Sequence, residues 1–308
     1  MLRFVIFGYH TATHQCCQYL LNKGARLLHC YPRDKKISLI ENKAISYFRF
    51  DSISDHELFT TIREFNADYI LTIICNEKIP AEIVNLCRNY ALNFHPAPLP
   101  DCRTANPWFW VIRLGYIQSA ITVHLLADKF DSGDIVYKQE FPLGPLDYQW
   151  DYELKFLVEI QSAVENVYKL ILSGQIEPEP QSGKGRYYDR VRFRDICIDW
   201  EKSAGDIHNL IRACNPIHPA ITEYKNNMLT IFEAQPTDFS PSRPGELTID
   251  KDRIYCSCRD SALELTVFFF KGVCSARRLI ELMDLKSGAI FTPGAQVDYL
   301  RGKLDSYV

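Results

Sequence analysis

A chain of 308 residues with 47% hydrophobic and 13% aromatic content has ample apolar surface to bury, which excludes a disordered or fibrous protein and suggests two domains. A formal net charge of -3 and a pI near 6.3 supply no broad basic face, so nucleic acid is disfavoured as a partner. Eleven cysteines, an odd number without a regular framework, point to a reducing compartment. With no secretory leader pattern and no apolar run near the ~20 residues that span a bilayer, a soluble, cytoplasmic protein is expected.

The apolar run Arg3 to Phe7 predicts a strand, Gly8 to Thr13 a turn, and the spacing of Gln15 to Asn22 a helix with Leu20 and Leu21 inward. A strand at Arg26 to Tyr31, a helix at Asp55 to Phe65, a strand at Tyr69 to Cys75, a helix at Ala81 to Arg88 and a short strand at Ala91 to Phe94 follow. Strand-like runs at Ile121 to Leu126 and Ile135 to Phe141 flank the turn at Asp131, and Trp150 to Leu172 predicts a long helix. This alternation implies an α/β fold with a doubly wound, mostly parallel, Rossmann-like sheet, whose ligands bind beyond the carboxyl ends of the strands.

Between Ser173 and Asp199 the chain is rich in Gly, Pro and charge and reads as a linker or an extended crossover. Beyond it, Ser203 caps a short helix to Ala213. Strand candidates follow at Met228 to Glu233, Glu246 to Ile249, Arg253 to Ser257 and Leu263 to Phe270, which predict a small β-barrel-like domain. The expected division is a first domain over 1–195 and a β-rich domain over 200–308.

Asn93 and His95 lie two apart at a strand end and therefore share a face, offering an amide donor beside a titratable imidazole. Pro96, Pro98 and Pro100 stiffen the exit from that strand. Asp131 sits in a Gly-containing acidic turn where a carboxylate can approach a histidine. Each piece alone is commonplace: most lone strand histidines are core residues, and Asp-Ser-Gly-Asp is an ordinary turn. The information lies in the combination.

Asn93, Phe94, His95, then Leu99 and Pro100, then Thr122, Val123, His124, then Asp131, Ser132, Gly133 follow a known order and spacing. The chain resembles the hydrolase-type formyltransferases that use 10-formyltetrahydrofolate, which include methionyl-tRNA formyltransferases and sugar N-formyltransferases. The stretch DIHNLIRACNPIHPA is similar to the interdomain helix and turn of the two-domain members, so the resemblance covers nearly the whole chain. It departs from the family at Ala97 and Pro98, at Thr104 after Arg103, and at Ala120 before the Thr-x-His strand, which puts the geometry of the acceptor loop in question.

The resemblance implies that Asn93, His95 and Asp131 are the catalytic trio and that no metal takes part. Attack of an amine on the formyl amide builds negative charge on the formyl oxygen, which Asn93 and a protonated His95 can stabilise. His95 is suited to carry the amine proton to N10, with Asp131 orienting the ring and raising its basicity. It also implies a pterin pocket at Lys78, Ile79, Ala127, Asp128 and Phe130. The first loop lacks the G-x-G-x-x-G of a dinucleotide site, yet Tyr9, His10 and Thr11 precede a helix and suit an acceptor's phosphate. Arg103, Asn106 and Trp108 are further acceptor candidates, although an aromatic run such as Trp108 to Trp110 also suits plain core packing.

The implied partner is a small amine, first a dTDP- or UDP-linked amino sugar, and a homodimer is compatible with the sequence. The alternatives are formylation of methionyl-tRNA, hydrolysis of the formyl-folate by water, and a non-catalytic folate-binding module.

Overall fold

The computed structural model describes residues 1–183, 185–240 and 242–294. Two compact units share the chain, one made of Met1–Pro107, Gln118–Pro142 and Glu153–Tyr188, the other of Trp108–Ile117, Leu143–Tyr152 and the chain from Asp189 onward.

In the first unit β1 (Arg3–Phe7), β2 (Arg26–Pro32), β3 (Ile45–Phe50), β4 (Tyr69–Ile73), β5 (Ala91–His95), β7 (Gln118–Leu125) and β8 (Ile135–Pro142) form one sheet. The short β6 (Arg103–Thr104) lies outside it. The sheet order is β3-β2-β1-β4-β5-β7-β8. The first five strands are parallel, and β7 and β8 add antiparallel to β5 and to each other. Because the chain leaves β1 towards β2 on one side and returns to β4 on the other, right-handed crossovers place helices on both faces. The buried stretch of β1 is a continuous apolar run, and that of β4 is interrupted only by Thr72, because both faces of such strands are covered.

Helix α1 (Thr11–Asn22) begins four residues before the predicted Gln15, because the His10 ring accepts a hydrogen bond from the Ala12 amide and caps the earlier turn. Asp55 is the cap of α2 (His56–Phe65), its carboxylate accepting from Glu57, and Asn66 closes that helix in the left-handed conformation. The helix predicted over Ala81 to Arg88 is one turn only, α3 (Ala81–Val84). The amides of Arg88 and Asn89 donate to the carbonyls of Ala67 and Asp68, so they cannot continue a helical ladder. Strand β3 carries no strong sequence signal: it is an edge strand that buries only Ile45 and Phe50 at its ends.

Helices α4 (Pro107–Arg113) and α5 (Gln149–Ser173) complete this part of the chain. After α5 the Gly- and Pro-rich stretch runs extended, exchanging backbone hydrogen bonds between Glu179 and Ile135 and pairing β9 (Tyr187–Tyr188) in parallel with β6.

The second unit contains α6 (Phe193–Ile196), α7 (Ala204–Cys214), β10 (Ala220–Tyr224), β11 (Asn227–Thr237), β12 (Leu247–Asp250), β13 (Arg253–Ser257), β14 (Ala262–Phe269), β15 (Val273–Ser275), α8 (Ala276–Met283) and β16 (Thr292–Pro293). Its antiparallel sheet has the order β12-β13-β14-β11-β10-β16, with β15 against β14, and α7 packs on β11. Ser203 caps α7 by accepting from the Asp206 amide. The unpredicted β10 is fully buried despite Thr222 and Glu223, and the indole of Trp200 donates to Thr222.

Candidate active site

The register of three central strands assembles the polar cluster. Thr72 of β4 lies opposite Asn93 of β5, Asn93 opposite His124 of β7, and His95 opposite Thr122. Since alternate strand residues share a face, the Asn-x-His of one strand and the Thr-x-His of its neighbour form a two-by-two polar patch on otherwise apolar strands. Thr122 holds the proline-rich loop beside it, its hydroxyl donating to the Ala97 carbonyl and accepting from the Leu99 amide.

Each polar group has a defined orientation. The Thr72 hydroxyl donates to Asn93 Oδ1 at 2.6 Å, which turns Asn93 Nδ2 towards His124 Nε2 at 3.0 Å. His124 Nδ1 donates to the Leu125 carbonyl at 2.8 Å, leaving Nε2 as the acceptor of the Asn93 amide. His95 Nε2 donates to the Cys102 carbonyl at 3.1 Å, so Nδ1 is the ring atom that faces inward.

Asp131 closes the cluster. Its Oδ1 stands 3.4 Å from His95 Nδ1, 3.5 Å from Asn93 Nδ2 and 3.7 Å from His124 Nε2. The residue adopts a left-handed backbone (φ 53), which Asp tolerates better than most residues. Gly133 is required for a different reason: a Cβ there would collide with the Leu125 carbonyl oxygen. The Asp-x-Gly spacing thus joins a carboxylate that must turn inward to a backbone that must lie flat against β7.

The His95 and Asp131 side chains are only 5% and 10% exposed, so charge acts at low dielectric. Burial lowers the His95 pKa below its usual 6.5, the charge of Asp131 opposes that, His124 adds to it, and the Cys102 carbonyl opposes it. Burial alone would raise the Asp131 carboxyl, but His95, His124 and the Thr104 amide outweigh it and hold the pKa below the usual value. The resting pair is therefore a neutral imidazole beside a carboxylate. His95 Nδ1 and Asp131 Oδ1 then present lone pairs to each other across 3.4 Å, a place where an incoming proton is held by both.

Of the cofactor candidates, Lys78, Ile79, Ala127 and Phe130 line one narrow cleft of about 40 Å³ together with Asn93 and Asp131, whereas Asp128 is not among its walls. Tyr9, His10 and Thr11 line a separate cavity of about 210 Å³ with His14, His29 and Lys36. His10 also pairs with Glu153 at 2.9 Å. Arg103 is held by Gln181, and the Asn106 amide donates to the Thr104 hydroxyl. Trp108 belongs to the second unit, where its ring meets Tyr152 edge-on at 4.9 Å. Thr72, in the wall of the cleft, and Gln181, bonded to the Asp131 and Gly133 carbonyls, carry no local sequence signal. His124 is visible in the Thr-x-His run, but its role depends on the strand register.

Residues 30–163 match the formyl transferase family, and residues 190–279 match the formyl transferase C-terminal domain. Over 214 residues the chain is 30% identical to the methionyl-tRNA formyltransferase of Clostridium beijerinckii, an alignment that covers 68% of either chain. This chain belongs to the formyltransferase family. The fold of this formyltransferase is shared by an N-formyltransferase from Helicobacter canadensis solved with folinic acid and dTDP-3-aminofucose, at a TM-score of 0.68 and 16% identity, covering 86% of this chain and 98% of that one. HypX from Aquifex aeolicus, solved with tetrahydrofolic acid, matches at a TM-score of 0.63 and 18% identity over 93% of this chain. This formyltransferase spans 48% of that HypX chain, about half its length. Among the described residues no helix is long and apolar enough to cross a membrane.

Proposed function

We propose that this enzyme transfers the formyl group of 10-formyltetrahydrofolate to the primary amine of a nucleotide-linked amino sugar, and that Asn93, His95 and Asp131 carry the step. The observation that bears most weight is His95, held by the Cys102 carbonyl through Nε2, with its Nδ1 turned inward 3.4 Å from Asp131 Oδ1 and Asn93 beside them. Attack forms the bond from amine nitrogen to formyl carbon and makes the formyl oxygen anionic. The Asn93 amide donates to that oxygen. His95 takes the amine proton and Asp131 stabilises the imidazolium. Return of the proton to N10 accompanies rupture of the carbon–N10 bond and releases tetrahydrofolate. Every atom is accounted for without a covalent enzyme intermediate.

The pterin is assigned to the cleft beside the trio, with Lys78, Ile79, Ala127 and Phe130 as walls; Asp128 is assigned with them only as the chain neighbour of Ala127. Phe130, one of these walls, is 46% exposed. For the acceptor we assign the cavity behind the first loop, where Tyr9, His10 and Thr11 meet Lys36. The start of α1 there favours a phosphate. All these residues lie within 1–195, the segment assigned to catalysis, and 200–308 is assigned as a β-rich accessory domain.

The similarity to a methionyl-tRNA formyltransferase supports a second acceptor, charged initiator tRNA. Salt separates the two. An amino sugar bearing one diphosphate replaces few ionic contacts, so its KM should change by less than about threefold between 50 and 200 mM salt, whereas a tRNA covering many phosphates should weaken by about 10³ or more. Steady-state formylation of dTDP- and UDP-linked amino sugars and of methionyl-tRNA across that range is the test. Turnover of the tRNA with a steep salt slope, and none of the sugars, would overturn the acceptor.

A further inference from the structure

Gln181 lies in the extended stretch after α5, fifty residues from Asp131 in sequence, yet it makes four hydrogen bonds to the catalytic region. Its Nε2 donates to the carbonyls of Asp131 at 2.9 Å and Gly133 at 2.7 Å. Its Oε1 accepts from Arg103 Nε at 3.1 Å and Nη2 at 2.6 Å. Two donors and two lone pairs are the whole capacity of a primary amide, so this side chain is saturated and fixed in one rotamer. Neither Glu, which lacks the donors, nor Lys, which lacks the acceptor, reproduces the set.

The three segments joined in this way bear on one carboxylate. Asp131 sits in the left-handed conformation, where a non-glycine backbone is held by its surroundings. Thr104, next to Arg103, donates its amide to the Asp131 carboxylate. Gly185 lies so close to the Pro100 carbonyl that a Cβ would collide with it, and Tyr187 and Tyr188 pair with Arg103 and Thr104. Glu179 anchors the same stretch at the start of β8 through a reciprocal pair of backbone hydrogen bonds with Ile135. Gln181 thus stands where the acceptor-side loop and the catalytic turn meet.

We infer that Gln181 is a positioning residue for formyl transfer: with Arg103 it holds the Asp131 turn so that the carboxylate stays on His95. This rests on the role given to Asp131 above. Arg103 belongs to the same positioning pair through its Nε and Nη2, and its remaining N–H donors leave an acceptor contact open to it. Loss of the amide leaves two carbonyls unpaired and frees the turn to relax from its left-handed backbone, which carries the carboxylate away from the ring.

The experiment combines a double-mutant cycle with a pH profile, measured with 10-formyltetrahydrofolate and whichever amine the wild-type enzyme formylates. Gln181→Ala should lower kcat by about ten- to a hundredfold, with the KM of the donor within about twofold. The acid limb of its pH profile should move to lower pH, because a carboxylate that recedes no longer raises the His95 pKa. Gln181→Glu, which keeps the acceptor for Arg103 but faces two carbonyls, should resemble Gln181→Ala. Ser182→Ala, at an exposed neighbour, should match wild type. In an Asp131→Asn background, Gln181→Ala should cost less than about twofold more, since the group it positions is gone. An unmoved acid limb, or an equal loss in both backgrounds, would overturn the inference while wild-type turnover leaves the formyl-transfer reading standing. A wild-type enzyme that formylates no amine would instead sink that reading itself.

Discussion

Asp131→Asn and His95→Asn are each expected to lower kcat by about 10² to 10⁴, the range in which general acid–base groups contribute, while the KM for the formyl donor stays within a few-fold. The two substitutions fail for different reasons. Asn at 131 is nearly isosteric and can still meet His95 Nδ1 across the 3.4 Å gap, but it carries no charge to stabilise an imidazolium. Asn at 95 keeps a polar group near the formyl carbon and removes the proton carrier. The pH dependence gives a second readout. Because burial lowers the His95 pKa from 6.5 and the ring must be neutral to accept the amine proton, the enzyme's own acid limb, once protonation of the amine substrate is separated from it, should lie below that value. Asp131 is what holds the His95 pKa up, so in Asp131→Asn the residual activity should retain its acid side to still lower pH. Near-wild-type turnover in either variant would remove that residue from the mechanism.

A single methyl at Gly133 should be nearly as damaging, although the residue has no chemistry of its own. An alanine Cβ would collide with the Leu125 carbonyl oxygen, and that oxygen is the acceptor that fixes the His124 ring. The Gly133 carbonyl is in turn one of the two acceptors of Gln181. Relieving the clash therefore displaces the Asp131 turn, the His124 ring or the Gln181 amide. Overpacking of this kind costs about 1–3 kcal/mol in stability, and displacement of the carboxylate should lower kcat by at least about tenfold. Gly205→Ala is the control: its nearest neighbour is Ser203 Oγ at 4.0 Å, and a helical Gly→Ala change should be neutral or stabilise by about 0.5–1 kcal/mol. Thermal melts and donor-saturated turnover of both variants check this, and equal behaviour of the two would refute the packing argument.

How far this was legible without coordinates depended on the range of the contacts. Strands β1 and β13 have the bounds read from their apolar runs, and the predicted Tyr69 to Cys75 and Ala91 to Phe94 differ by two residues and one from β4 and β5. These strands are largely buried, and apolar residues dominate their signal even where Thr72, Asn93 and His95 interrupt it. The cap at Ser203 was equally plain, because capping is local. Strands β3 and β10 were not visible: one is a half-buried edge, and the other buries Thr222 and Glu223, whose accommodation depends on the tertiary surroundings. Asn93, His95 and Asp131 could be singled out because a resemblance supplied their order and spacing. Their geometry could not, since it arises from the pairing of Asn93 with His124 and from a carboxylate brought in on a separate turn. Gln181 had no signal, its partners being 50 and 78 residues away. Arg103 showed a related gap: a charged residue in that loop invites an acceptor role, and only the structure reveals that its Nε and Nη2 also bond Gln181.

The fate of the formyl carbon tests the central claim most directly. With 10-formyltetrahydrofolate labelled in that carbon and a panel of nucleotide-linked amino sugars, the label should pass into a formamide in step with tetrahydrofolate release, and His95→Asn should slow the transfer by about 10² or more. Release of the label as formate at one rate with and without amines, or its retention on the folate whatever acceptor is offered, would contradict the assignment of this site to formyl transfer.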